Sequence, residues 1–150
     1  MHEIRIGTLV SVTPSTPKTL DKLIPLGFES FSFTYWKAFG EVKPSQLAPL
    51  VMDKLRAQQI PVSCLSLFAN PLPDNEDGER ARSEWRELID SIHLFDCDLI
   101  TGFTGRIPGD IAANIGRFKE VWEPLAEQAA AKGCCFAAAA DRSRSMKVSM

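Results

Sequence analysis

A pattern that occurs four times constrains the fold of this chain most: a helix end, a break and then a short apolar strand. Its four copies are LIPLGFESFSF, LRAQQIPVSCLSL, LFDCDLITGF and AAAKGCCFAAA. They recur with a period of roughly 30 to 36 residues, the size of a unit in which a helix returns the chain to a parallel strand. Such strict alternation of strands and helices predicts a parallel α/β sheet.

The apolar spacing places the individual elements. Strands are predicted at 3–10, 28–33, 61–67 and 98–103, and a fifth, poor in β-branched residues, from Cys134. Helices are predicted at 16–26, 43–59 and 76–94, and a fourth carries Ile111, Ile115, Phe118 and Trp122 on one face. Pro124 indicates a helix start and Gly133 a stop. Residues 34–36 are predicted to form a polar and aromatic loop.

Two architectures fit this order, an open doubly wound sheet and a (β/α)8 barrel. The loop after the first strand, 12–16, is VTPST and lacks the glycine-rich pattern that cradles a nucleotide phosphate. The barrel is therefore favoured, although eight strands are needed to close one. We predict an α/β fold, a partial (β/α)8 TIM barrel of about four and a half βα units with parallel strands. It should occupy 1–140, followed by a polar, disordered tail at 141–150.

Composition excludes several classes of function. The chain has 150 residues and a net charge of −2, and its Lys and Arg residues are scattered, so we expect no nucleic-acid partner. No segment resembles a signal peptide or a membrane span, which predicts a cytoplasmic protein without a membrane partner. The four cysteines show no C-x-x-C spacing and are interpreted as small buried apolar residues.

Three segments carry a family resemblance: LDKLIPLGFESFSF, LRAQQIPVSCLSLFANPL and W-x-x-L-A-E-Q-A-A-A-K-G. In order and spacing, up to Gly133, the chain resembles the N-terminal half of the xylose-isomerase-like sugar phosphate isomerase/epimerase barrels. The resemblance implies a TIM barrel near twice this length, with a divalent metal (Mn²⁺, Mg²⁺, Co²⁺ or Zn²⁺) at its C-terminal mouth. It also implies proton-transfer isomerisation or epimerisation of a small sugar or ketose.

The chain departs from the family where the metal ligands belong. Ser32 stands where the second strand of the family often ends in glutamate, and Ala139 and Ala140 stand where the fifth strand carries Glu-Asn. Hard divalent ions need several oxygen or imidazole ligands at one point, so we expect no metal site or other cofactor in this chain. One hypothesis is therefore a truncated isomerase, weakly active or inactive alone. The alternative is a non-catalytic half-barrel that pairs its open edges with a second copy or another chain.

Any remaining substrate contacts should lie at the C-terminal ends of the strands, where barrel active sites form. The candidate substrate-binding residues are Tyr35, Trp36, Phe68, Asn70, Thr104 and Arg106. Tyr35 and Trp36 are interpreted either as a wall that stacks on a sugar ring or as packing under a loop. Asn70 precedes Pro71 and suits a turn, and Arg106 is either a ligand for a phosphate or carboxylate or a solvated loop residue.

Overall fold

The structure, a computed structural model that describes residues 4–138, contains one parallel sheet of five strands in the order β1-β2-β3-β4-β5. Each strand pairs in parallel with its neighbour, and a helix connects each pair. The strands are β1 Gly7–Ser11, β2 Ser30–Trp36, β3 Val62–Phe68, β4 Leu99–Gly102 and β5 Cys135–Ala138. The helices are α1 Thr16–Leu23, α2 Pro44–Ala57, α3 Glu76–Ser91 and α4 Ile111–Ala131. Short 3-10 turns, Ile24–Leu26 and Ile92–Phe95, extend α1 and α3. The predicted partial TIM barrel is confirmed.

The helices begin where local chemistry allows it. Asn75 caps α3 by accepting a hydrogen bond from the amide of Gly78 at 3.0 Å, and Asp110 caps α4 through the amide of Ala113 at 2.8 Å. Pro44 opens α2, where its missing N–H is not needed. The two side-chain caps fix the residues at which α3 and α4 begin after the loops that follow β3 and β4.

Several predicted boundaries are wrong. Residues 34–36 are not a loop but the last part of β2, because they pair with the end of β3. Ile4 and Ile6 precede β1 and are exposed. Pro124 lies inside α4 and does not start a helix. Burial of Trp122 and Leu125 on either side of it outweighs the ~3 kcal/mol that an interior proline costs.

The cysteines also differ from expectation. Cys134 is buried, Cys64 and Cys97 are half-buried, and Cys135 is exposed. Successive side chains of a strand point to opposite faces, so the side chain of Cys135, the first residue of β5, lies on the face opposite to that of Phe136. Within residues 4–138, no helix is both long enough and apolar enough to cross a membrane.

The hydrophobic core lies between the sheet and the helices. Phe31, Phe33 and Tyr35 of β2 and Leu65 and Leu67 of β3 are almost fully buried on this side. The rings of Phe33 and Phe95 lie 6.0 Å apart, which connects β2 to the 3-10 turn that follows α3. Since alternate residues of a strand occupy opposite faces, the residues between them form the second face of the sheet. We call that second face the inner face.

Trp85 of α3 holds β4 and β5 to the helix layer. Its ring meets Trp122 of α4 at 5.0 Å and Phe136 of β5 at 5.9 Å. Gly102 allows this approach, because a β-carbon there would overlap the ring of Trp85 and the carbonyl oxygen of Leu67. The absence of a side chain at Gly102 is therefore a packing requirement.

We expect Gly102→Ala to lower the free energy of unfolding by about 3 kcal/mol, because backbone and a buried ring must both move. Gly116→Ala is the matched control, since it adds the same methyl group within α4 at a position with no neighbouring atom within 4 Å. That control should raise the free energy of unfolding by about 1 kcal/mol. Urea denaturation of both variants tests the pair, and equal effects of the two substitutions would contradict this account.

Candidate functional site

The inner face is organised in rows that run across the strands. The register pairs Leu9 with Ser32, Ser11 with Thr34, and Trp36 with Phe68. The same register pairs Ser66 with Thr101 and Leu67 with Gly102, which places Phe103 beside Phe68. Each row therefore contains one inner-face side chain from each strand that reaches that level. The next row towards the C-terminal ends of the strands lies two residues further along the chain.

The row nearest these C-terminal ends is aromatic, and we call Trp36, Phe68 and Phe103 the aromatic row. The rings of Trp36 and Phe68 are stacked, with centroids 4.9 Å apart and planes at 19°. Phe103 lies 4.7 Å from Phe68 at an angle of 60°. Trp36 is 55% exposed and Phe103 48% exposed, so two large apolar rings face the open side of the sheet.

The next row consists of hydroxyl groups, and we call Ser11, Thr34, Ser66 and Thr101 the hydroxyl row. Ser11 accepts a hydrogen bond from the indole nitrogen of Trp36 at 2.9 Å. The Oγ of Ser66 and the Oγ1 of Thr101 lie 2.6 Å apart. The buried Oγ1 of Thr34 has no hydrogen-bond partner among residues 4–138. The row thus orients the indole ring and retains hydrogen-bonding capacity beneath the aromatic row.

Side chains from the helices and loops fix the loops after β3 and β4. Asn70 donates to the carbonyl oxygen of Arg106 at 2.6 Å and accepts from the amide of Arg106 at 3.1 Å, which joins the two loops. Trp122 of α4 donates its indole N–H to the carbonyl oxygen of Thr104 at 2.7 Å. Trp85 donates similarly to Ala69 at 3.3 Å. The loops that flank Phe68 and Phe103 are therefore held by the protein itself.

Arg106 and the start of α4 border a hollow of about 350 Å³. The Arg106 side chain is exposed, and the helix contributes Ile111, Ile115 and Phe118, which are also exposed. These three apolar residues share one helix face, as the sequence predicts, but no described residue covers them in the way the core covers Trp122.

Tyr35 lies apart from the aromatic row. It is one residue before Trp36 in β2, so its side chain enters the helix-side core, where its ring packs 4.8 Å from Phe39. Burial, with a contribution from the Glu87 carboxylate, raises the pKa of Tyr35. Of the six predicted residues, Trp36 and Phe68 are in contact, Asn70 is hydrogen-bonded to Arg106, and Thr104 lies in the same loop as Arg106, where its carbonyl oxygen accepts from Trp122. Substrate binding by these residues stays a prediction.

Phe103 and the hydroxyl row were not among the predicted site residues. Each of these five residues lies two residues from another inner-face residue of the same strand or its extension, and residues at that spacing share a face. Alternation alone therefore identifies Ser66 from Phe68, and Thr101 from Phe103. What the sequence does not give is the register between strands, which decides that these residues are neighbours.

The described residues do not supply the metal ligands that the family resemblance implies. Within residues 4–138 there is no group of three or more His, Cys, Asp or Glu residues that could hold a metal ion. The aromatic and hydroxyl rows contain no carboxylate or imidazole. Ser32 lies in the middle of β2, two rows below the end of the strand, and Ala139 and Ala140 lie outside the described residues.

Comparison with known proteins gives matches at the level of structure. Neither the protein-family models nor the curated proteins give a match. A xylose isomerase domain protein from Planctomyces limnophilus is 15% identical over 89% of this chain and 52% of that chain, with a TM-score of 0.67. The fold is that of half a xylose isomerase-like TIM barrel.

Two further structures agree with this fold. A D-psicose 3-epimerase from Clostridium cellulolyticum H10, solved with D-tagatose, is 17% identical over 89% of this chain and 51% of that chain, with a TM-score of 0.63. A xylose isomerase-like TIM barrel protein from Mycobacterium smegmatis, in complex with magnesium, is 18% identical over 81% and 45% of the two chains, with a TM-score of 0.63. The chain spans about half the length of the structures it matches.

The loop that follows Trp36 is anchored by Glu84 of α3. The amide of Phe39 donates to Oε1 of Glu84 at 3.2 Å, while Oε2 is buried and has no partner among the described residues. Burial is the main cause that raises the pKa of the Glu84 carboxyl. Arg80, Lys43 and Glu87 are its charged neighbours, and Lys43 is itself paired with Glu87 at 3.0 Å.

This environment predicts a pH-dependent difference between the wild type and Glu84→Gln. Because the folded-state pKa is raised, the unfolded chain releases this proton first as pH increases from about 4. As the pH rises from the unfolded-state pKa of Glu84 to its folded-state pKa, the free energy of unfolding of the wild type should therefore decrease relative to that of the variant. Melting temperatures of both proteins from pH 3 to pH 8 measure this difference, and a difference independent of pH would contradict the assignment.

Proposed function

We propose that this chain provides the sugar-binding wall of a sugar isomerase/epimerase-type barrel, in which a small sugar or ketose stacks on the aromatic row. The observation that carries the proposal is the exposed pair of Trp36 and Phe103 around Phe68, at the strand ends where barrel enzymes bind substrate. The C–H groups on one face of a sugar form an apolar surface that a flat ring covers well. The matched epimerases support this class of ligand.

The rows favour a neutral sugar over a sugar phosphate. None of the seven side chains in the aromatic and hydroxyl rows carries a charge, so the rows cannot neutralise a phosphate. Hydroxyl groups suit the hydroxyls of a sugar, and Ser11 and Thr101 are the accessible members of the hydroxyl row, since Thr34 and Ser66 are buried. Arg106 stays the predicted contact for an anionic group. The four free cysteines support the cytoplasm as the proposed setting.

In this proposal, the chain binds and orients sugar but does not complete the reaction alone. Isomerisation of a ketose requires a group that removes a proton beside a carbonyl, and the rows hold no acid–base residue suited to it near neutral pH. A bound divalent metal would polarise the carbonyl in a complete barrel. Weak or absent activity of the isolated chain follows from these two points.

Trp36→Ala tests the sugar-binding wall, with D-tagatose and D-fructose as probes. A ligand of this size on an open wall should bind with a dissociation constant in roughly the millimolar range. We expect the substitution to weaken binding at least tenfold, measured by changes in NMR chemical shifts on titration. Phe118→Ala, which removes an exposed ring of α4 outside the row, should leave the affinity unchanged. Equal affinity of Trp36→Ala and the wild type would contradict the proposal.

A second experiment tests the metal ligands. Addition of about 1 mM Mn²⁺, Mg²⁺, Co²⁺ or Zn²⁺ should leave the melting temperature of the chain unchanged, because an ion stabilises a protein only when it binds the native state. We also expect no epimerisation of either probe sugar under the same conditions. A clear rise in melting temperature with any of these ions would show that the chain holds a metal site after all.

A further inference from the structure

Most of the exposed large apolar side chains lie near β1, on the inner face or on α4. Among residues 4–138, only Leu26 and Leu50 of the exposed large apolar residues lie elsewhere. The others lie beside or on β1, on the inner face, or on the first half of α4: Ile4, Ile6, Leu9, Trp36, Phe103, Ile111, Ile115 and Phe118. A parallel sheet is normally covered on both faces, so the exposed inner face and the exposed apolar residues at β1 suit a protein partner.

The two edge strands lack the features that keep sheet edges from pairing. Within residues 4–138, β1 pairs only with β2 and β5 only with β4. Their sequences, GTLVS and CFAA, contain neither charged residues nor proline, the usual protection of an exposed edge. Among the described residues, the outer backbone groups of β1 and β5 are therefore available to another parallel strand.

We propose that this chain associates with a second copy of itself, β5 of each copy pairing with β1 of the other. β1 and β5 are the two edge strands of the same sheet. A parallel pairing of β5 in one copy with β1 in the other therefore continues the strand order from one sheet into the next. A two-fold axis repeats the contact and satisfies both edges of both copies. A net charge of −2 offers little electrostatic opposition to this association.

The arrangement would complete the sugar-binding wall. Two five-stranded sheets give a ring of ten strands, wider than the eight-stranded barrel whose interior side chains fill completely. Its inner faces would enclose a cavity with an aromatic row from each copy, and the small hydroxyl rows would leave room between them. The association does not depend on sugar binding, because its proposed contacts are the backbone groups of β1 and β5 and the side chain of Leu9 on β1.

Leu9→Lys and Leu50→Lys form a matched pair that tests the association. Leu9 lies on β1 and is 47% exposed, while Leu50 lies on α2, remote from both edges, and is 54% exposed. Sedimentation equilibrium without sugar, between about 1 and 300 µM, covers dissociation constants in the micromolar range. A reductant is included because Cys135 is exposed.

We expect the wild type and Leu50→Lys to reach twice the 16.6 kDa of one chain, and Leu9→Lys to remain at that single mass. Circular dichroism establishes that each variant is folded. If Leu9→Lys does not fold, Ile6→Lys, at a 67% exposed position just before β1, takes its place with the same expectation. A wild type that stays monomeric throughout, or that assembles beyond two copies, would overturn the proposal. So would a folded Leu9→Lys or Ile6→Lys variant that still forms the dimer.

Discussion

Alternation of side chains across a parallel sheet is the constraint on which this structure depends. In β2, Phe31, Phe33 and Tyr35 enter the helix-side core, while Thr34 and Trp36 lie on the inner face. A shift of one residue in the pairing would exchange these two sets. The same register that buries the core therefore places the aromatic row and the hydroxyl row at adjacent levels.

The sequence was sufficient for the order of elements and the fold class, because four copies of one pattern leave few alternatives. It was less informative at the ends of elements. Residues 34–36 were interpreted as a polar and aromatic loop after a strand in which aromatic and polar residues alternate, yet pairing with β3 extends β2 through them. Pro124 looked like a helix start because the packing of Trp122 and Leu125 is not visible in local sequence.

The candidate site could be predicted only in part, for the same reason. Trp36 and Phe68 were identifiable as strand-end residues, but their contact depends on a register that no single segment encodes. Asn70 illustrates the opposite case. Its turn chemistry was visible beside Pro71, and the structure adds two hydrogen bonds to Arg106, thirty-six residues away. Such long-range pairing is what distinguishes a rigid site from a set of suitable residues.

The ring of Phe136 has a consequence for the order in which the sheet opens. It is the one large side chain of β5, and it joins that strand to Trp85 and Trp122. β2 and β3, in contrast, carry several fully buried large residues. Native proteins open first where few apolar contacts hold an element, so β5 should detach and reattach while the other strands remain paired. In a single copy of the chain, each detachment transfers the edge of the sheet from β5 to β4, so the position of that edge fluctuates.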